Sequence, residues 1–233
     1  MNSSTIIDPL DLLWFADERK SANQQIWIVG CSYAYGKGVD KQERYGQIVA
    51  DNFNLPVSFL ASTGTSISWA ANQILRSDIK EHDLIIWGLT GIHRYDSYKN
   101  YIEYPMNSVD QFTSVNNEVT DKRKKFEDQL TEEDKDELVK RLFSEEQILM
   151  AVRSIFQVIN FCKKVNAKLV IFLHTLSYSE AEQLLLKYLN QLDNVVHLST
   201  QIDFGTDLKH PGPQTHKNWA SEIIEFIKRK KLL

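Results

Sequence analysis

Short apolar runs alternate with longer segments in which apolar residues recur every three or four positions. Five runs read as strands: Ile26–Val29, "VSFLA" from Val57, "LIIWGL" from Leu84, "KLVIFLH" from Lys168 and the shorter "NVVHLS" from Asn194. The third is apolar throughout, as in a strand covered on both faces. Helical spacing appears between them. "QERYGQIVADNF" places Tyr45, Ile48, Val49 and Phe53 on one side, and "SISWAANQILRSDI" does so with Ile67, Ala70, Ala71, Ile74 and Leu75. "ILMAVRSIFQVINFCKKV" aligns Ile148, Val152, Ile155, Phe156 and Ile159, after a capping-box pattern of Ser144 with Gln147. Thr131 with Asp134 is a second such pattern, before "KDELVKRLF". "SEAEQLLLKYLNQL" and a last segment through "HKNWASEIIEFIKRKK" complete the set.

Strands alternating with helices predict an α/β fold: a parallel sheet with helices on both faces. Without repeats or linkers, residues 1–233 read as a single domain with an insertion at about 95–144. Ligands of such folds gather at the carboxyl ends of the strands. The places to look are therefore residues 30–38, 61–66, 88–94, 174–177 and 207–210.

Composition narrows the function classes. Lys and Arg number 27 against 31 Asp and Glu, a net charge of −4, so no basic field draws nucleic acid or an anionic membrane. Two cysteines, Cys31 and Cys162, make neither a disulfide framework nor a Cys-rich zinc site. His82, His174 and His197 lack metal-ligand spacing, and nothing calls for a cofactor. Asp8, Pro9 and Asp11 interrupt the first apolar run, which makes a poor signal peptide, and no stretch approaches the roughly 18 apolar residues of a spanning helix. A cytoplasmic location is the expectation; oligomeric state has no signal.

The stretch "GCSYAYGKG" follows the first strand. Five residues separate Gly30 from Gly36, and Gly38 rather than Ser or Thr follows Lys37, so it is not a Walker loop. Serine at position 32 breaks the three-glycine dinucleotide pattern. A nucleophile turn needs a base and an orienting acid elsewhere. Asp207 and His210 in "DLKHPG" supply such a pair: three residues apart on a turn, both can face one way.

Four blocks in order make the chain similar to the SGNH (GDSL-type) hydrolases. "GCSYAYG" resembles that family's first block, "ASTGTS" its second, "WGLTG" its third and "DLKHP" its last. The resemblance implies a three-layer α/β/α sandwich around a flavodoxin-like five-stranded parallel sheet. It also implies Ser32 as nucleophile, His210 as general base and acid, and Asp207 as its orienter. The oxyanion hole would use the N–H groups of Ser32 and Gly64 with a side chain from the third block. Two positions depart from the pattern. Cys31 replaces an aspartate and reads as a small packed residue beneath the turn. Thr90 stands where the family has asparagine; its hydroxyl can donate one hydrogen bond on a shorter arm.

His93, Arg94 and Tyr95 follow Thr90 as candidate substrate-binding residues. Tyr95, Tyr98, Tyr101 and Tyr104 recur every three residues, which on a helix gives a drifting aromatic stripe suited to sugar rings or to a half-buried core. The run from Asp121 to Arg141 holds seven basic and eight acidic residues and reads as a solvated helix. "KRKK" suits a helix C-terminus. Asp203 reads as a loop residue, and His216 as a surface position of the last helix. The expected activity is a serine ester hydrolase acting on small acyl esters, with carbohydrate O-acetyl groups as a substrate class. The alternatives are an O-acyltransferase acting on a polysaccharide or glycan precursor, and a catalytically silent glycan-binding module. No nucleic acid or membrane enters any of them.

Overall fold

The computed structural model describes residues 17–92, 95–99, 102–106, 145–173 and 180–233. The strands are β1 (Ile26–Gly30), β2 (Val57–Ala61), β3 (Leu84–Leu89), β4 (Tyr95–Lys99), β5 (Ile102–Met106) and β6 (Lys168–Leu173). The helices are α1 (Ser32–Tyr35), α2 (Tyr45–Phe53), α3 (Ile67–Arg76), α4 (Glu145–Val165), α5 (Glu180–Leu189) and α6 (Pro213–Lys230). Four strands form a parallel sheet in the order β2-β1-β3-β6. The fifth expected strand is reduced to one parallel bridge, Ile171 with Val195. Two main-chain hydrogen bonds hold it: Ile171 N–H to Asn194 O and Val196 N–H to Ile171 O, each 2.9 Å.

Side chains alternate along each strand into two cores, as the two-residue period requires. Trp27, Val29, Leu60, Ile85, Trp87 and Ile171 pack with α3, α4 and α5. Ile26, Ile28, Phe59, Ile86, Val170 and Phe172 pack with α2 and α6. That is the three-layer arrangement, and it explains the unbroken apolar strands: both faces are covered. Two residues assigned to apolar helix faces are in fact exposed, Leu75 at 36% and Phe156 at 45%. Phe156 finds the ring of Tyr188 at 5.1 Å instead.

The insertion contains a surprise. Instead of a tyrosine-bearing helix, β4 and β5 form an antiparallel hairpin, with Tyr95 opposite Met106 and Ser97 opposite Tyr104. The helix expected at "KDELVKRLF" lies outside the described residues, as does Ser144, while the helix it was to cap begins at Glu145. No helix among the described residues is long and apolar enough to cross a membrane.

At the amino end of the sheet, Asp83 is fully buried. It accepts hydrogen bonds from Gln25 N–H (3.1 Å), Lys80 N–H (2.9 Å) and the Trp27 indole (3.0 Å), and pairs with the Arg19 guanidinium (2.5 Å). Every oxygen of this buried carboxylate therefore has partners, as its charge demands. The candidate site lies at the opposite, carboxyl end.

Candidate functional site

Gly30 ends β1 with φ +146°. A Cβ there would stand 2.6 Å from Gly88 O and 3.0 Å from the Ala34 methyl, so only glycine lets the turn leave β1 beside β3. Its carbonyl accepts Ser62 N–H and the Thr65 hydroxyl, both at 3.2 Å, tying the first strand-end loop to the second. Cys31 is extended and buried beneath the turn, the packed position expected of it. Ser32 opens the single-turn helix α1 and is 3% exposed. Its carbonyl accepts the N–H groups of Gly36 and Lys37. Gly36, at φ +73°, closes the helix in the left-handed conformation.

The loop before α6 carries the other half. The Asp207 carboxylate lies 2.5 Å from His210 Nδ1, and its second oxygen accepts the N–H groups of Lys209 (3.1 Å) and His210 (3.0 Å). Burial favours the neutral acid, but these N–H donors and the imidazole outweigh it and hold the carboxyl below its ordinary range. An ionised carboxylate only accepts, so in this pair the Nδ1 proton is the one donated. Leu208, between them, is in the left-handed region at φ +55° and 79% exposed, the turning point that lets residues 207 and 210 face each other.

The two halves meet. Tyr33, the residue after Ser32, sets its ring edge-on to His210, with centroids 5.6 Å apart and planes at 83°. Gly38 O accepts the Thr206 N–H (2.8 Å) and hydroxyl (3.2 Å). Gly64 lies three residues past β2 with φ +77°, and Thr90 directly follows β3. β1 is paired on one side with β2 and on the other with β3, so Ser32, Gly64 and Thr90 follow three adjacent strands. Thr90 is 2% exposed, and its hydroxyl has no hydrogen-bond partner among the described residues. Such an orphan is unusual in a native interior and calls for an explanation. Tyr95 opens β4; His93, Arg94 and His174 lie outside the described residues.

One sequence reading needs correction, and another gains detail. His216 is not a surface residue but fully buried, stacked on Tyr45 at 5.7 Å, with Nδ1 accepting the Tyr45 N–H (3.2 Å). Asp203 is more than a loop residue: it accepts the N–H groups of Gln214 (2.9 Å) and Thr215 (2.8 Å) and the Thr215 hydroxyl. From outside the helix it thus satisfies donors of α6 that a capping side chain would take. Burial favours its neutral form, yet those bonds and the nearby His216 prevail and keep the carboxyl below its ordinary range. Three contributors had no counterpart in the sequence reading: the Tyr33 ring against His210, the Thr65 strut and the Gly38 contact.

No group of three or more His, Cys, Asp or Glu side chains that could hold a metal occurs among the described residues. No protein-family model and no curated protein matches the chain in sequence. Solved structures do match in shape. An acetyl xylan esterase from the rumen bacterium Butyrivibrio proteoclasticus superposes with a TM-score of 0.52 at 16% identity, over 92% of this chain and 66% of that one. A carbohydrate esterase whose active site displays divergent catalytic and non-catalytic binding functions gives 0.50 at 16% identity, over 90% and 67%. TesA gives 0.54 at 10% identity, over 90% of this chain and all of its own length. The chain thus spans about two thirds of the two carbohydrate esterases. With three blocks directly after β1, β2 and β3, the fourth in the loop before α6, and a three-layer parallel sheet that superposes on these structures, the chain has the fold of the SGNH-type hydrolases.

Proposed function

We propose that the protein is a serine ester hydrolase in which Ser32, His210 and Asp207 act together. The observation that carries this reading is the Asp207–His210 pair, held at 2.5 Å on a loop whose histidine touches the residue after Ser32. His210 Nε2 takes the Ser32 hydroxyl proton as Oγ bonds to the acyl carbon. The carbonyl electrons move to oxygen, and the N–H groups of Ser32 and Gly64 with the Thr90 hydroxyl receive that charge. Collapse breaks the ester C–O bond, and His210 returns the proton to the leaving alcohol. Water repeats the sequence on the acyl-serine and releases the acid. Asp207 stays ionised throughout and stabilises the imidazolium.

Small acyl esters on carbohydrate, O-acetyl groups above all, are the proposed substrate class. Support comes from two structural neighbours that are carbohydrate esterases, at the level of fold. The test is labelling by a fluorophosphonate probe of the parent, Ser32→Ala and Cys31→Ala proteins. Labelling of the parent and of Cys31→Ala, lost in Ser32→Ala, is the expected pattern. Labelling that persists in Ser32→Ala but disappears in Cys31→Ala would overturn the serine assignment. An unlabelled parent that still binds acetylated glycan would make it a binding module. Product analysis with and without sugar acceptors separates hydrolysis from acyl transfer.

A further inference from the structure

We propose that Gly38 is a positioning residue for the Asp207–His210 pair, acting by the space that its missing side chain leaves to the Asp207 carboxylate. The inference rests on the acid–base roles given to those two residues. A Cβ on Gly38 would stand 3.0 Å from Asp207 Oδ1 and 3.3 Å from its carboxyl carbon. The approach is reciprocal: a Cβ on Gly205 would meet Gly38 O at 2.6 Å. Between these contacts run the two bonds from Thr206 to Gly38 O. Gly38 also has φ +89°, so a side chain would be strained there on two counts.

The carboxylate has little room to yield. Oδ1 is fixed by the N–H groups of Lys209 and His210, and Oδ2 is the atom bonded to Nδ1. Moving Oδ1 by a few tenths of an ångström swings Oδ2 about the shared carbon and turns the imidazole. The same segment begins at Ser32, whose carbonyl holds Lys37 N–H at 3.0 Å. One short stretch of main chain, residues 32–38, therefore spaces nucleophile from acid. Misplacement of about 1 Å costs roughly 10²-fold in turnover, which sets the scale.

The experiment is a double-mutant cycle on an aryl acetate with Gly38→Ala, Asp207→Ala and the double variant. One-dimensional proton NMR of the low-field Nδ1–H resonance is read beside it. Gly38→Ala is expected to lower kcat about 10- to 100-fold with KM within about twofold, and to move the Nδ1–H signal upfield. In the Asp207→Ala background it should change kcat no further. Losses that multiply, or an unmoved resonance, would overturn the proposal in favour of a merely structural glycine. The NMR readout needs no turnover: a parent without esterase activity sinks the hydrolase reading while the resonance still tests Gly38. Should Gly38→Ala fail to fold, Thr206→Val removes one of the two bonds to Gly38 O. A smaller kcat loss that disappears in the Asp207→Ala background supports the proposal, and one that multiplies overturns it.

Discussion

Replacing Thr90 by valine should make the protein more stable and less active. Thr90 is 2% exposed, and its buried hydroxyl lacks a hydrogen-bond partner among the described residues. An unsatisfied buried polar group costs about 1–3 kcal/mol. Valine puts a methyl of nearly the same size in its place, so Thr90→Val should recover about that amount. For a chain of this length each kcal/mol raises Tm by about 2–4 °C. If the hydroxyl is kept for the charge that develops on the acyl oxygen, its loss removes about 2.7–4 kcal/mol of transition-state stabilisation, or 10²–10³ in kcat. Thr90→Ser separates the two effects. It keeps the hydroxyl and deletes a buried methyl, so it should lose roughly 1 kcal/mol of stability and keep most turnover. Thermal melts and aryl acetate kinetics on the three proteins suffice. A valine variant with unchanged kcat refutes the oxyanion role, and one that is destabilised refutes the account of the orphan hydroxyl.

Asp83→Ala takes the carboxylate from the partly buried Arg19 guanidinium and leaves three N–H donors without their acceptor, and should lower the unfolding free energy by about 3 kcal/mol in urea melts. Turnover per folded molecule should hold, because Asp83 lies at the far end of the sheet. Asp203→Asn should cost about 1 kcal/mol at neutral pH through its weakened hold on α6. The folded carboxyl of Asp203 lies below its unfolded value, so its contribution is complete above the ordinary carboxylate pKa of about 3.9 and disappears as pH falls through the folded value. The gap between parent and variant urea midpoints should therefore close below about pH 4.

Local signals located what local physics determines. The apolar runs marked β1, β2, β3 and β6 because covering both faces leaves no polar positions to confuse the pattern. "NVVHLS" was harder: it adds one bridge beside Ile171, and backbone pairing of that extent has little sequence signature. The β4–β5 hairpin was not legible because Tyr95, Tyr98, Tyr101 and Tyr104 recur every three residues, a spacing that suggests a helix and departs from the two-residue period of a strand. His216 was legible after all: it shares the stripe of Trp219, Ala220, Ile223, Phe226 and Ile227 at helical spacing, and burial follows. Asp207 and His210 were found because three residues on a turn is a local relation. The Asp203 bonds to α6 and the Gly38 approach to Asp207 join segments that no local window contains. A glycine in sequence announces a turn and not the neighbour it makes room for.

The bond between Gly38 and Thr206 spans 168 positions of chain. Closing so long a loop is entropically costly, and such contacts form late. During synthesis the serine turn and the first three strands leave the ribosome well before the histidine loop has been made. In the proposed mechanism Ser32 therefore waits for its acid–base pair until the Asp207–His210 loop has been made and Thr206 reaches Gly38.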